Sequence, residues 1–357
     1  MKNVFAKTAV VASTVMLATA AHAQSSVTLY GIADAGLIYQ SKTQSPTGGN
    51  GGRLLGFTDS GMMPSLFGLK GDEDLGGGLH AEFNLESGID MANGGFSDSN
   101  GNMWGRQAWV GLRGNFGTVR AGLQYSPFFM QTLALDPRSL SQLGSSLVVY
   151  ANNAIATGIF VSNAVTYTTP VIAGLQGSAL FAFGGTPGNF QAGRQYSGSL
   201  SYHWQNLGLY ASYFNGNAGG TAPVPTVMPL EASQIGATYK FGAVTAKASF
   251  VNFKMAGAGV NNDVYNAGFD YLVLPMVDVN AGVWFQTNRD DTSSKSVMGA
   301  VGTQYFLSKA TALYAQLGVV NNKGTQNLGL DMGGGPTMMF APQGTTVGAN
   351  VGIRHLF

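Results

Sequence analysis

Thr346-Val347-Gly348-Ala349-Asn350-Val351-Gly352-Ile353-Arg354-His355-Leu356-Phe357 closes the chain. Val347, Ala349, Val351, Ile353 and Phe357 fall on one face of an extended strand, with His355 the polar exception. Thr346, Gly348, Asn350, Gly352 and Arg354 fall on the other. Side chains alternate across a strand, so this segment has one apolar and one polar side. A strand of this kind ending on an aromatic fits a barrel whose outside meets lipid and whose inside is wet.

Working back from that segment, the same alternation recurs. In Leu79-His80-Ala81-Glu82-Phe83-Asn84-Leu85-Glu86 the odd positions are apolar and the even ones polar. Gln234 to Phe241 and Val277 to Val283 split in the same way. We count sixteen such segments: 27–40, 64–71, 78–88, 104–114, 117–125, 162–170, 174–184, 194–205, 207–215, 232–241, 243–254, 264–274, 276–287, 297–308, 310–322 and 346–357. Many have the ~9–11 residues that a tilted strand needs to cross hydrocarbon. One such strand also fits a half-buried soluble sheet, but sixteen in succession predict a transmembrane antiparallel β-barrel. Tight turns (Asn115-Phe116, Gly242, Pro275 and the 72–77 turn) contrast with long connections at 41–63, 89–103, 126–161, 216–231 and 323–345. Short turns at one end and long loops at the other are the asymmetry of an outer-membrane barrel. Tyr30, Trp104, Tyr125, Tyr167, Trp204, Tyr239, Phe241, Tyr271, Phe306 and Phe357 lie near strand ends and read as interfacial girdles.

The first 23 residues read as a secretory signal peptide. Lys2 and Lys7 give a basic start, Thr8 to Ala20 an apolar middle too short to span a bilayer, and Ala21-His22-Ala23 a cleavage site. The expected domains are therefore 1–23, signal peptide, and 24–357, barrel. Loss of Lys2 and Lys7 from 18 basic residues, against 17 acidic ones, leaves a nearly neutral protein with no basic excess to hold nucleic acid. There are no cysteines, which excludes a disulfide framework, a thiol nucleophile and thiolate-bound metal. No cofactor is expected.

Several segments resemble the general porins of Gram-negative bacteria, in the neisserial and β-proteobacterial branch. Ser26-Val27-Thr28-Leu29-Tyr30-Gly31-Ile32-Ala33-Asp34-Ala35-Gly36 is similar to that family's first strand. Gly68 through Leu79 resembles its first periplasmic hairpin. Arg106 through Leu112 with Asn115 through Val119 resembles the next, and Leu307 through Gln316 with Gly352 through Phe357 its last strands. The resemblance implies a 16-stranded barrel and a homotrimer set among outer-membrane lipid and lipopolysaccharide. It implies assembly machinery that recognises Phe357, and passive passage of small hydrophilic solutes and ions. It also implies an inward-folded third extracellular loop, here 126–161, the longest connection and free of regular structure by its pattern.

Constriction width and lining charge set diffusion through such a pore. The family's eyelets place a ladder of arginines on the wall opposite acids on the third loop. By the resemblance, Leu66, Leu123 and Thr166 stand where arginines are usual. Alternation alone puts Leu123 outside with Val119 and Ala121, a conflict that a local bulge would resolve. The third loop carries only Asp136 and Arg138, beside the aromatics Phe128, Phe129, Tyr150 and Phe160. A weak transverse field and low ion selectivity follow. The remaining candidate wall charges are Lys70, Glu82, Glu86, Arg106, Arg120 and Arg194.

Two other classes are weighed. A substrate-specific channel would use the loop aromatics as a stacking surface and show saturation. A membrane-embedded hydrolase needs a histidine beside Ser or Asp. His80, His203 and His355 all fall near the short-turn end, where lone strand histidines are the better reading. Asp263 and Asp290-Asp291 read as solvated loop acids rather than a cation site.

Overall fold

The computed structural model describes residues 26–155, 157–221, 226–333 and 336–357. The expected signal peptide lies outside these residues. Seventeen strand segments form one antiparallel sheet: β1 Ser26–Gln40, β2 Leu54–Asp59, β3 Leu66–Gly76, β4 Leu79–Gly88, β5 Gln107–Gly114, β6 Gly117–Tyr125, β7 Phe160–Thr168, β8 Leu175–Ala182, β9 Gln195–Trp204, β10 Leu207–Gly216, β11 Leu230–Phe241, β12 Val244–Met255, β13 Val260–Leu274, β14 Val277–Asn288, β15 Lys295–Phe306, β16 Thr311–Lys323 and β17 Gly344–Leu356. β1 pairs with both β2 and β3, each strand from β3 onward pairs with the next in sequence, and β17 returns to β1, from Ile32↔Leu356 to Gln40↔Gly348. The Phe357 and Gly31 backbones exchange two hydrogen bonds at the seam. The sheet is closed and has no edge to protect.

β2 and β3 are two halves of one stave. The upper half of β1 pairs with β2 and the lower half with β3. Counted by stave, the barrel has the sixteen strands that the alternation predicts. The reading of 41–63 as one loop is corrected: 41–53 leaves the wall, and the chain rejoins it at Leu54. Leu54 to Asp59 is strand, with Leu55 and Phe57 exposed on the outside. Ser60 to Ser65 then breaks the ladder. Ser60 takes a positive φ and Pro64 offers no N–H, so the chain turns inward before β3 begins.

Exposure divides the wall into two faces. Val283, Phe285, Val297, Val301, Leu317, Val319, Val347 and Val351 are exposed outward, while their neighbours Asn280, Gln286, Ser296, Gln316 and Asn350 are buried inside. Aromatics form two outward belts. Phe250, Tyr265 and Phe285 contact one another toward the long loops, and Tyr239 and Phe241 lie at the short-turn end. Tyr30 and Tyr125 leave the predicted girdle. Both turn inward to the carboxylate of Glu86.

Segment 126–159 is not free of regular structure. It holds two helices, α1 Pro127–Leu135 and α2 Ser146–Ala154. Ser126 caps α1 through the Phe129 N–H, with Pro127 at the first helical position, and Ser145 caps α2 through the Leu147 N–H. Serine before a short apolar run was the available helix signal, and strand periodicity in the flanks hid it.

Candidate functional site: the barrel lumen

The third loop lies against the inner, polar face of the wall. Gln131 Nε2 donates to the Leu200 carbonyl (2.8 Å) and Thr132 to Gln234 (3.2 Å). Trp284 Nε1 reaches Ser146 Oγ (2.9 Å), and Asn153 Nδ2 reaches Gln286 (2.8 Å). A track of small residues makes room for this contact. Gly268, Gly282, Ala300, Gly318 and Gly348 are successive cross-strand partners on β13 to β17. A Cβ at Gly268 or Gly282 would stand 2.7 or 2.8 Å from the Pro137 ring, and one at Gly318 3.1 Å from Leu143. Phe128, Phe129 and Tyr150 fill the space between loop and wall, with Phe160, Phe214 and Phe253 around them. The loop aromatics are therefore buried. They do not form the stacking surface that a sugar-type channel would need. Burial drives the Tyr150 hydroxyl pKa upward.

Both loop charges are turned away from the lumen. Asp136 and Arg138 are 0% and 1% exposed. The Asp136 carboxylate accepts the N–H groups of Arg138, Leu140 and Ser146, and so ties the end of α1 to the start of α2. Arg138 donates to Asn280 Oδ1 (2.9 Å), to the Leu143 and Gly144 carbonyls (2.6 and 2.8 Å) and to Gln316. Burial lowers its pKa to about 10, which leaves it charged at neutral pH. On α1, residues 128, 131, 132 and 135 face the wall. Met130 and Leu133, 46% and 36% exposed, lie on the opposite side of the helix and face open lumen.

The short-turn half of β3 to β6 presents a polar inner lining that the third loop does not cover. Lys70 is exposed, 5.3 Å above the Tyr30 ring. Asp72, His80, Glu82, Arg113 and Arg120 follow. Arg113 binds both Asp72 (2.7 Å) and Glu82, and His80 Nδ1 contacts Asp72 (2.7 Å). Arg120 lies 4.1 Å over Trp109 and 3.7 Å from Glu82, and its stem crosses Gly111. Arg113 and Arg120 side chains are each 43% exposed, so water screens these pairs. Arg113 and Asp72 were not singled out from the sequence, although both sit on the polar side of their strands.

The other sequence candidates take different places. Glu86 and Arg106 face inward but are buried in a closed cluster. Arg106 Nε donates to Glu86 (2.9 Å) and Nη1 to Asp98 (2.5 Å), while Tyr30 and Tyr125 also donate to Glu86. Neither lines open water. Arg194 lies 5.7 Å over Tyr196, whose ring meets Tyr213 on the outer face, so Arg194 is corrected from a pore residue to an outer one. Leu66 and Thr166 are on the inner face and buried. At Leu123 the β6–β7 register shifts between Gly122 and Gln124, and Leu123 packs in part against the inner aromatic cluster. A bulge of the expected kind is present.

A buried carboxylate that the sequence reading passed over organises the wall beside β3. Asp34 accepts the N–H groups of Gly61 (3.0 Å), Met62 (3.2 Å) and Met63 (2.8 Å) and the Tyr314 hydroxyl (2.6 Å). It thereby holds the Ser60–Ser65 break inward. Gln316 and Asn350 donate to the Gly61 carbonyl (2.9 and 2.8 Å), and the Met62 carbonyl accepts from Gln142 of the third loop (3.1 Å).

Comparison with known proteins places this geometry. A family model described as Gram-negative porin matches residues 8–325. The outer membrane porin protein 32 of Delftia acidovorans is 30% identical over 98% of this chain and 100% of its own length. The major outer membrane protein P.IB of Neisseria meningitidis serogroup B is 27% identical over 79% of this chain and 95% of its own. Among solved structures, an anion-selective porin from Comamonas acidovorans superposes with a TM-score of 0.79 at 28% identity, covering 94% of this chain and all of the other.

Proposed function

Because the chain belongs to the Gram-negative porin family, it is a β-barrel channel of the outer membrane for passive diffusion, and we propose that it has no catalytic role and passes small hydrophilic solutes and ions with weak selectivity and a slight preference for anions. One observation carries this reading. Asp136 and Arg138 are locked against the wall, so the third loop offers the lumen Met130 and Leu133 instead of acids. The third loop then adds little to the field across the pore. On the inner face of β3 to β6, Lys70, Arg113 and Arg120 equal Asp72, Asp74 and Glu82 in number, but Asp72 and Glu82 are engaged by the two arginines and Asp74 sits at the β3–β4 turn, where it accepts the Gly76 N–H (2.8 Å), so Lys70 is the cation left along the wall. Lys70 has no carboxylate within salt-bridge distance among the described residues. The Comamonas porin is described as anion-selective, which agrees in sign. The protein works as a homotrimer in contact with outer-membrane lipid and lipopolysaccharide, after export by the 1–23 signal peptide and assembly through Phe357. The lining set is Lys70, Asp72, Glu82, Arg113 and Arg120 opposite Met130 and Leu133, with Leu66, Leu123 and Thr166 as apolar or neutral substitutes for eyelet arginines. The test is the zero-current potential of the refolded protein in a planar bilayer under a salt gradient. A small potential of anionic sign is expected, with K70E moving it toward cations. A large potential, or none of the K70E shift, overturns the reading.

A further inference from the structure

On the outer face, two like charges stand side by side with no carboxylate in salt-bridge distance among the described residues. Lys295 begins β15 and Lys323 ends β16, and the two are direct cross-strand partners. Both are exposed on the outward side, since Ser296 and Asn322 beside them are buried inside and hydrogen-bonded to each other (2.6 Å). Like charges directly opposite one another destabilise a sheet. The nearby acids make their contacts elsewhere. Asp291 is taken by Ser293 and Ser294, Asp290 by Asn261, and Asp263 by Arg289 (2.7 Å).

The height of the pair is fixed by the wall beside it. Thr287 is the β14 partner of Lys295, and Phe285 of the aromatic belt is two residues below. Lysines just beyond an aromatic belt, at the long-loop end, sit at outer-leaflet headgroups. Directly beneath them the surface is indented. Gly299 lies between Val283 and Val319, and the groove continues along Val301, Leu317 and Val347. A cationic pair at the head of an apolar groove matches an amphiphile with an anionic head and an acyl chain.

We propose that Lys295 and Lys323, with the Gly299 groove below them, bind a phosphorylated acyl lipid of the outer leaflet, the lipid A end of lipopolysaccharide. The phosphate relieves the repulsion between the ammonium groups, and one acyl chain occupies the groove. This names a site for the lipid contact proposed above and rests on the barrel lying in the outer membrane. It is independent of ion selectivity.

The test is native mass spectrometry of the refolded protein titrated with bis-phosphorylated lipid A, enzymatically dephosphorylated lipid A and inorganic phosphate. Each cation near a membrane surface contributes about 1 kcal/mol, so K295Q/K323Q is expected to bind the phosphorylated lipid roughly thirty-fold more weakly. Its binding of the dephosphorylated lipid should be unchanged, and K295R/K323R should bind as the parent does. G299L, which fills the groove, should weaken both lipids. Unchanged unitary conductance in all variants shows an intact pore, so a failure here is distinguishable from failure of the channel reading. Equal affinity of K295Q/K323Q and parent for the phosphorylated lipid overturns the proposal. So does saturation of the site by inorganic phosphate with no loss in G299L.

Discussion

At the scale of single residues, a charge matters by what its side chain faces. Arg138 and Lys70 carry the same formal charge, yet one is enclosed by carbonyls and amides and the other lies in the lumen. R138M should therefore leave the zero-current potential nearly unchanged while lowering the thermal midpoint, because several buried acceptors lose their donor at about 1–3 kcal/mol each. L133K should do the reverse, raising anion preference at little cost in stability. A large potential shift in R138M, or none in L133K, would reverse the assignment of faces. Asp34 makes the same point. Nothing in Ala33-Asp34-Ala35 shows that its carboxylate collects three N–H groups and a tyrosine hydroxyl from segments about 30 and 280 residues away. D34A should destabilise the barrel in a melt and increase open-channel noise, since the Ser60–Ser65 break and Gln142 of the third loop lose their common anchor. Quiet channels with a native melting temperature would remove Asp34 from that role.

At the scale of elements, strands were legible because burial alternates with period two, and the sequence segments coincide with the staves within a few residues. The interrupted stave was read short. Leu54 to Asp59 alternates over six residues only, and Ser60 to Ser65 separates it from its continuation. The helices of the third loop were missed for a different reason. Their apolar residues point both at the wall and at the lumen, so α1 has no clean amphipathic period. The glycine track is also an element-scale feature. Gly268, Gly282 and Gly318 are scattered in sequence and become neighbours only through the register. G282V should push Pro137 toward the lumen. The expected outcome is a smaller single-channel conductance from a barrel whose strand content by circular dichroism is unchanged. A conductance equal to the parent's would mean that the loop does not rest on this track.

At the scale of the whole molecule, closure depends on the first and last staves finding each other. The Phe357 ring lies where a Cβ of Gly31 would be, 2.2 Å from its nearest atom, and the two backbones exchange hydrogen bonds. G31V should therefore lower the refolded fraction, read as heat-modifiable mobility on a gel, more than substitution at an exposed outer position such as Val351. Equal yields would place closure elsewhere. Sequence by itself determined the barrel, its sixteen staves, its orientation and its two chemical faces. Each of these follows from local alternation and loop length, and lipid outside with water inside enforces that alternation at every strand. Tertiary structure alone decided which charges meet the lumen. An inner-facing side chain in the barrel has two possible neighbours, water or the infolded third loop. The loop's path over the small-residue track buries Asp136, Arg138 and the aromatics and leaves the short-turn half of β3 to β6 bare. That path is set by contacts between residues more than a hundred positions apart, which no local pattern records.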